Sequence, residues 1–112
     1  IQFKGAFSEN YIMSELKSLG VSAYFWRTKA DAEVDFISDY EGILFPIEVK
    51  SATNTKAKSL QLFCKRFSPK LAFKASLKNV GDNMMEETHI WNIPLYIFFR
   101  IKEYIKTEMG WL

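Results

Sequence analysis

A chain of 112 residues, 48% hydrophobic and 16% aromatic, is enough for one globular domain with a core and not for two. The single Cys64 excludes an internal disulfide and any thiolate zinc site, and the longest apolar run, IPLYIFF at 93–99, is far short of the roughly 20 residues that cross a bilayer. The formal net charge is only +2, yet eight Lys or Arg and no acid fall between Lys50 and Lys78: either a solvated helix face with strand ends, or a surface that meets phosphate.

In chain order, FKGAFSENYIMSELKSL (3–19) repeats apolar residues at a helical period through Phe7, Tyr11, Ile12, Leu16 and Leu19, and Gly20 is a natural stop. VSAYFWRT (21–28), AEVDFIS and ILFPIEVKS read as three strands, the last two joined around Glu41-Gly42. Pro46 predicts irregular pairing near the start of the third. Thr53, Asn54 and Thr55 are candidate caps for a second helix with an apolar stripe of Leu60, Phe63, Cys64 and Phe67, ended by Ser68-Pro69. KLAFKASL (70–77) reads as a strand, NVGDNMMEE as a polar loop, THIWNIPLYIFF as a last strand or one broken at Pro94, and RIKEYIKTEMGWL as a short helix. The order α-β-β-β-α-β-β predicts an α/β fold, a mixed β-sheet with flanking helices, in one domain over 1–112.

The chemistry concentrates in the hairpin. With Glu41-Gly42 as a two-residue turn, Val34 faces Val49 and Phe36 faces Ile47 on an apolar side, while Asp35 faces Glu48 and Glu33 faces Lys50 on the other. Opposed carboxylates repel on an ordinary sheet. A raised pKa on one acid, Lys50 as a nearby cation, or a divalent ion held between the two each offsets that, and Mg²⁺ takes such oxygen ligands. His89, the only histidine, lacks an evident orienting partner and reads as structural. Arg27 reads as a salt-bridge partner of Glu33, and no G-x-x-x-x-G-K-[ST] phosphate loop is present.

The D-x12-E-x-K spacing of Asp35, Glu48 and Lys50 in this element order resembles the PD-(D/E)xK restriction-endonuclease-like superfamily. SENYIMSEL, YFWRT, AEVDF, PIEVKS, KSLQLF and NIPLYIFF are similar to the C-terminal nuclease-like domain that follows the ATPase module of prokaryotic AAA+-type ATPases. The resemblance implies Asp35 and Glu48 as ligands of Mg²⁺ or Mn²⁺, the Val49 carbonyl as a further one, Glu9 as an additional acid, and Lys50 acting on water or phosphate. The family often has Gly where this chain has Ala32, and the superfamily's Pro is Val34 here; neither change removes a catalytic group.

The function expected is therefore metal-dependent DNA phosphodiester hydrolysis by a cytoplasmic deoxyribonuclease domain, carried at the C-terminal end of a longer ATPase polypeptide and not associated with a membrane. The basic helix, through Lys56, Lys58, Lys65 and Arg66, is the candidate nucleic-acid-binding surface. The competing expectation is a non-catalytic module that binds nucleic acid or protein on the same fold.

Overall fold

The structure, a computed structural model, describes residues 2–25, 36–50 and 58–111; for 2–8, 58 and 59 it describes the backbone alone. Helix α1 (Gln2–Ser18) ends as the sequence predicts. Gly20 takes φ 75°, and the N–H groups of Gly20 and Val21 donate to the carbonyls of Lys17 and Leu16 at 3.1 and 2.9 Å. These are the paired bonds of a glycine C-terminal cap, which satisfy two carbonyls the helix leaves open. Strands β1 (Ser22–Phe25), β2 (Phe36–Tyr40) and β3 (Ile43–Val49) then form an antiparallel meander.

The turn at Glu41-Gly42 has φ 53° and 82°, two positive values in succession, as a type I′ hairpin requires. Gly42 also donates its N–H to Asp39 Oδ1 at 3.1 Å. Such a turn makes Tyr40 and Ile43 a hydrogen-bonded pair, so pairs alternate and Ile37–Pro46 falls in a non-hydrogen-bonded position. Pro46 therefore loses no bond to β2, and the irregular pairing expected around it does not occur. On its other side, pairing with the next strand begins only at Ile47.

Helix α2 (Lys58–Phe67) crosses over to β4 (Leu71–Ser76), parallel to β3. Leu60 and Cys64 of its expected stripe are buried, but Phe67 is exposed and packs instead on Phe63, ring centroids 4.7 Å apart, with the Arg66 guanidinium over its ring. The segment read as a polar loop contains a fifth strand, β5 (Gly81–Met85), which turns at Glu86-Glu87 into β6 (Thr88–Pro94). Strand β6 is parallel to β4 without a crossover helix, and β5 carries the chain back along the sheet edge to make that possible. At an edge, the polar side chains Asp82 and Asn83 face water at little cost. The sheet order is β1-β2-β3-β4-β6-β5. After Pro94 come a 3₁₀ turn (Leu95–Arg100) and helix α3 (Ile101–Met109). Among the described residues no helix is long and apolar enough to cross a membrane.

The sheet has two apolar faces of unequal size. On one, Phe36, Phe45, Ile47, Phe73 and Ile93 meet Ile12 and Leu16 of α1, Phe98 of the 3₁₀ turn and Ile101 and Ile105 of α3, all fully buried. The other is a smaller patch in which Ala72 and Ile90 meet Leu60 and Cys64 of α2. Burial pushes the Cys64 thiol up to about 11, against a hydrogen bond to Thr88 that lowers it, so this cysteine is core and not a nucleophile.

His89 joins three elements on the larger face. Its Nδ1 lies 2.5 Å from Glu108 of α3 and its Nε2 2.6 Å from Asp82 of β5, while Trp91 Nε1 donates to Glu108 at 3.3 Å. Two carboxylates thus hold the ring, at sequence separations of 19 and 7 that conceal them in the sequence. With both nitrogens engaged, neither can take a proton from a substrate, so the histidine is structural. Burial would lower its pKa, but the bonds to Asp82 and Glu108 outweigh this and raise it above the ordinary 6.5. A raised folded-state value means the clamp stabilises fully below about 6.5 and fades as pH rises through the folded value. His89→Gln is expected to cost about 1.5–3 kcal/mol at pH 6, the worth of hydrogen bonds to charged groups. Thermal melts of both forms between pH 5.5 and 9 check this: the gap should narrow as pH rises, and a constant gap contradicts the clamp.

Candidate active site

Three neighbouring strands deliver one polar row. Glu48 of β3 is in register with Lys74 of β4, and Lys74 with Asn92 of β6. Alternation places all three on the face of Ala72 and Ile90, two residues beyond the patch that α2 covers. The row lies near the C-terminal ends of three mutually parallel strands, where open α/β sheets characteristically take ligands.

Glu48 is 1% exposed, and Lys50 Nζ lies 3.9 Å from its Oε2. A carboxylate so deep in a sheet is costly unless cations or a metal balance it. Lys50 is held in place by its own backbone, whose N–H donates to the Ala75 carbonyl at 2.7 Å. Because that N–H points to β4, extended geometry turns the Val49 carbonyl the other way, toward the β2 side. Lys74 is half-buried on the central strand. Burial lowers its pKa; Glu48 opposes that, whereas Lys78 and Lys50 add to it. Lys74, in register with Glu48, brings a second lysine to this row, one that the hairpin pattern does not include. Its signal in the sequence is a lone cation in LAFKAS, where every other residue is buried.

The loop after β4 is fixed by Asn92. Ser76 Oγ donates to Asn92 Oδ1 at 2.8 Å, and Asn92 Nδ2 donates to the carbonyls of Lys78 and Asn79 at 3.2 and 3.0 Å. The Lys78 N–H closes the set by donating to Ser76 Oγ at 3.1 Å. A fully engaged polar network of this kind holds a loop in one conformation.

The expected site residues divide as follows. Glu48 and Lys50 come together, with Val49 between them. Glu9 is half-buried on α1, three residues before the buried Ile12. Asp35 lies outside the described residues, as do Arg27, Glu33 and Lys56. The pairs from Phe36–Ile47 to Tyr40–Ile43 do follow the register on which the Asp35–Glu48 expectation rests. Lys65 and Arg66 are exposed on α2, and Lys58 opens that helix. The groove of about 460 Å³ lined by Gln61, Leu62, Lys65, Met85 and Glu86 contains none of the polar row.

Glu48 carboxylate and Val49 carbonyl are hard oxygen donors, the kind that suits Mg²⁺ or Mn²⁺. Among the described residues no three His, Cys, Asp or Glu side chains gather to hold a metal. The model of a family described as a domain of unknown function, DUF4143, matches residues 4–98. No curated protein matches the chain.

Proposed function

We propose that this chain, which belongs to the DUF4143 family, is a metal-dependent DNA phosphodiesterase of the PD-(D/E)xK kind, with Asp35, Glu48, the Val49 carbonyl and Glu9 toward the ion and Lys50 toward water and phosphate. The observation that carries this reading is the Glu48–Lys50 pair: a carboxylate 1% exposed with an ammonium 3.9 Å away, at the C-terminal ends of parallel strands. When bound, the ion supplies a water of lowered pKa and offsets charge on the scissile phosphate. Lys50 sets a positive point beside the oxygen where charge develops. The water gives up a proton to solvent as its oxygen bonds to phosphorus, the ester P–O bond breaks, and the departing oxygen takes up a proton from solvent. Lys56, Lys58, Lys65 and Arg66 are the backbone contacts proposed for the rest of the strand, and the resemblance adds an upstream ATPase module as the partner of this activity.

The division of labour is testable because a protonated lysine has no lone pair for a metal. Lys50→Ala is expected to lose cleavage, by about 10²–10³-fold as for removal of one charge-stabilising donor, while titrating with Mg²⁺ or Mn²⁺ like the wild type. Asp35→Ala is expected to lose both. Isothermal titration beside a plasmid-cleavage assay decides it. Equal metal binding by wild type and Asp35→Ala means that the carboxylates are structural and the chain is a binding module.

A further inference from the structure

The two edges of the sheet differ in what they present. Strand β5 carries Asp82 and Asn83, polar side chains of the kind that guard an edge against a further strand. Strand β1, at the other edge, reads Ser-Ala-Tyr-Phe, without a charge or a proline, and Tyr24 and Phe25 are each 63% exposed. The hairpin register decides where the backbone groups of β1 point. Ile37 and Asp39 turn their N–H and C=O away from β3, and so bond Tyr24 and Ser22, the residues opposite them. Ala23 and Phe25 therefore turn theirs outward, where no described residue meets them. Beside this edge a groove of about 450 Å³ opens between α1 and β1, lined by Met13 and Lys17 of α1 and by Ala23. Phe25 stands on the same face of the strand as Ala23, with one side of its ring against Phe36 at 5.2 Å between centroids.

We infer that β1 is a docking edge for β1 of a second copy of this chain, paired antiparallel about a two-fold axis at Tyr24. Such an axis, perpendicular to the sheet, reverses the strand and sets the same edge against itself. The outward groups then select the register. With Tyr24 opposite Tyr24 of the second copy, Ala23 faces Phe25 and Phe25 faces Ala23, pairs whose N–H and C=O groups all point across and exchange bonds. An axis at Ala23 would instead oppose Phe25 to Val21, whose N–H already donates to the Leu16 carbonyl. In the favoured register the ring of Phe25 lies opposite Ala23, the smallest side chain of the strand and part of the groove lining, so each copy offers a ring and receives one. On the opposite face the Tyr24 rings meet as a non-hydrogen-bonded pair, the closer of the two spacings. This self-complementarity of ring and groove selects a second copy over an unrelated strand. The Tyr24 and Phe25 rings bury at most about 150–250 Å² each, which puts the contact below the roughly 1,200 Å² where standard interfaces begin, so the dimer is reversible. The pairing does not depend on the hydrolase reading.

The test is sedimentation equilibrium of the 112-residue chain from micromolar to millimolar concentration, for the wild type and for Ala23→Pro, Tyr24→Glu and Tyr24→Lys, with thermal melts alongside. The wild type is expected to pass from monomer to dimer and to stop there. Ala23→Pro removes an outward N–H and none that β2 uses, so it should stay monomeric. Tyr24→Glu and Tyr24→Lys each set like charges across the axis and should weaken dimerisation by about tenfold or more, as loss of a central aromatic does. An equimolar mixture of those two variants should dimerise again, because unlike charges then meet. Substitutions at so exposed a position should melt like the wild type, so the Tyr24 variants decide the matter should Ala23→Pro fail to fold. A wild type that is monomeric throughout overturns the inference and leaves the edge to a strand of another protein. Tyr24 variants that dimerise like the wild type, or a mixture that stays monomeric, overturn the pairing at Tyr24. Growth of the wild type beyond a dimer overturns the closed two-fold.

Discussion

Glu48→Gln is expected to abolish both metal binding and cleavage while leaving the chain folded. The substitution keeps the volume of a side chain that is 1% exposed and removes only its charge. Even residues that merely orient a metal ligand change affinity by about 10–100-fold when removed, so loss of the ligand itself should weaken Mg²⁺ binding by more than about 100-fold. Glu48→Ala is the harsher change. It leaves Lys50 beside an empty space without the carboxylate it pairs with, and removing one partner of a buried pair costs about 3–5 kcal/mol. Lys50 is 29% exposed and still hydrated, so the cost here belongs at or below the bottom of that range. Titration of Mg²⁺ beside a thermal melt separates the two effects. A Glu48→Gln chain that binds Mg²⁺ as the wild type does contradicts the role given to this carboxylate.

Phe73→Ala is expected to bring the fold near its limit. Phe73 sits fully buried at the centre of β4, in register with Ile47 and Trp91 and edge-on to Phe45 at 5.4 Å between ring centroids. Large-to-small changes at such a position cost about 3–5 kcal/mol, against a total stability of about 5–15 kcal/mol for a domain. At about 4–8 °C per kcal/mol, the melting temperature should fall by more than roughly 12 °C. Leu62→Ala is the control: that leucine is 59% exposed, and the change should stay within about 0.5 kcal/mol. Similar melting of the two variants contradicts the core described above.

The hairpin was legible in the sequence because every level agreed on it. A glycine at the turn, alternating apolar residues and the core pair Phe36–Ile47 all fix one register, and a slip of one residue would have exposed the whole apolar set. Strand β5 was hidden by its composition. Gly81, Asp82 and Asn83 are poor strand formers, and what makes GDNMM a strand is its partner β6, together with an edge position where polar side chains cost nothing. Phe67 was misplaced because it closes the helical stripe by period, although the helix ends there and Ser68 turns the chain at φ 47°. Of the candidate site, the approach of Glu48 and Lys50 was legible because both lie on one arm of the hairpin. Lys74 and Asn92 join it only through parallel pairing across a helix crossover and an edge hairpin, and no local pattern encodes that pairing.

The most direct measurement of the central claim is cleavage of supercoiled plasmid and single-stranded DNA by the 112-residue chain with Mg²⁺ or Mn²⁺, beside EDTA and Asp35→Ala controls. The account predicts nicked or shortened DNA with either metal, and none in EDTA or with Asp35→Ala. Intact DNA under every metal condition, or equal cleavage by wild type and Asp35→Ala, contradicts it.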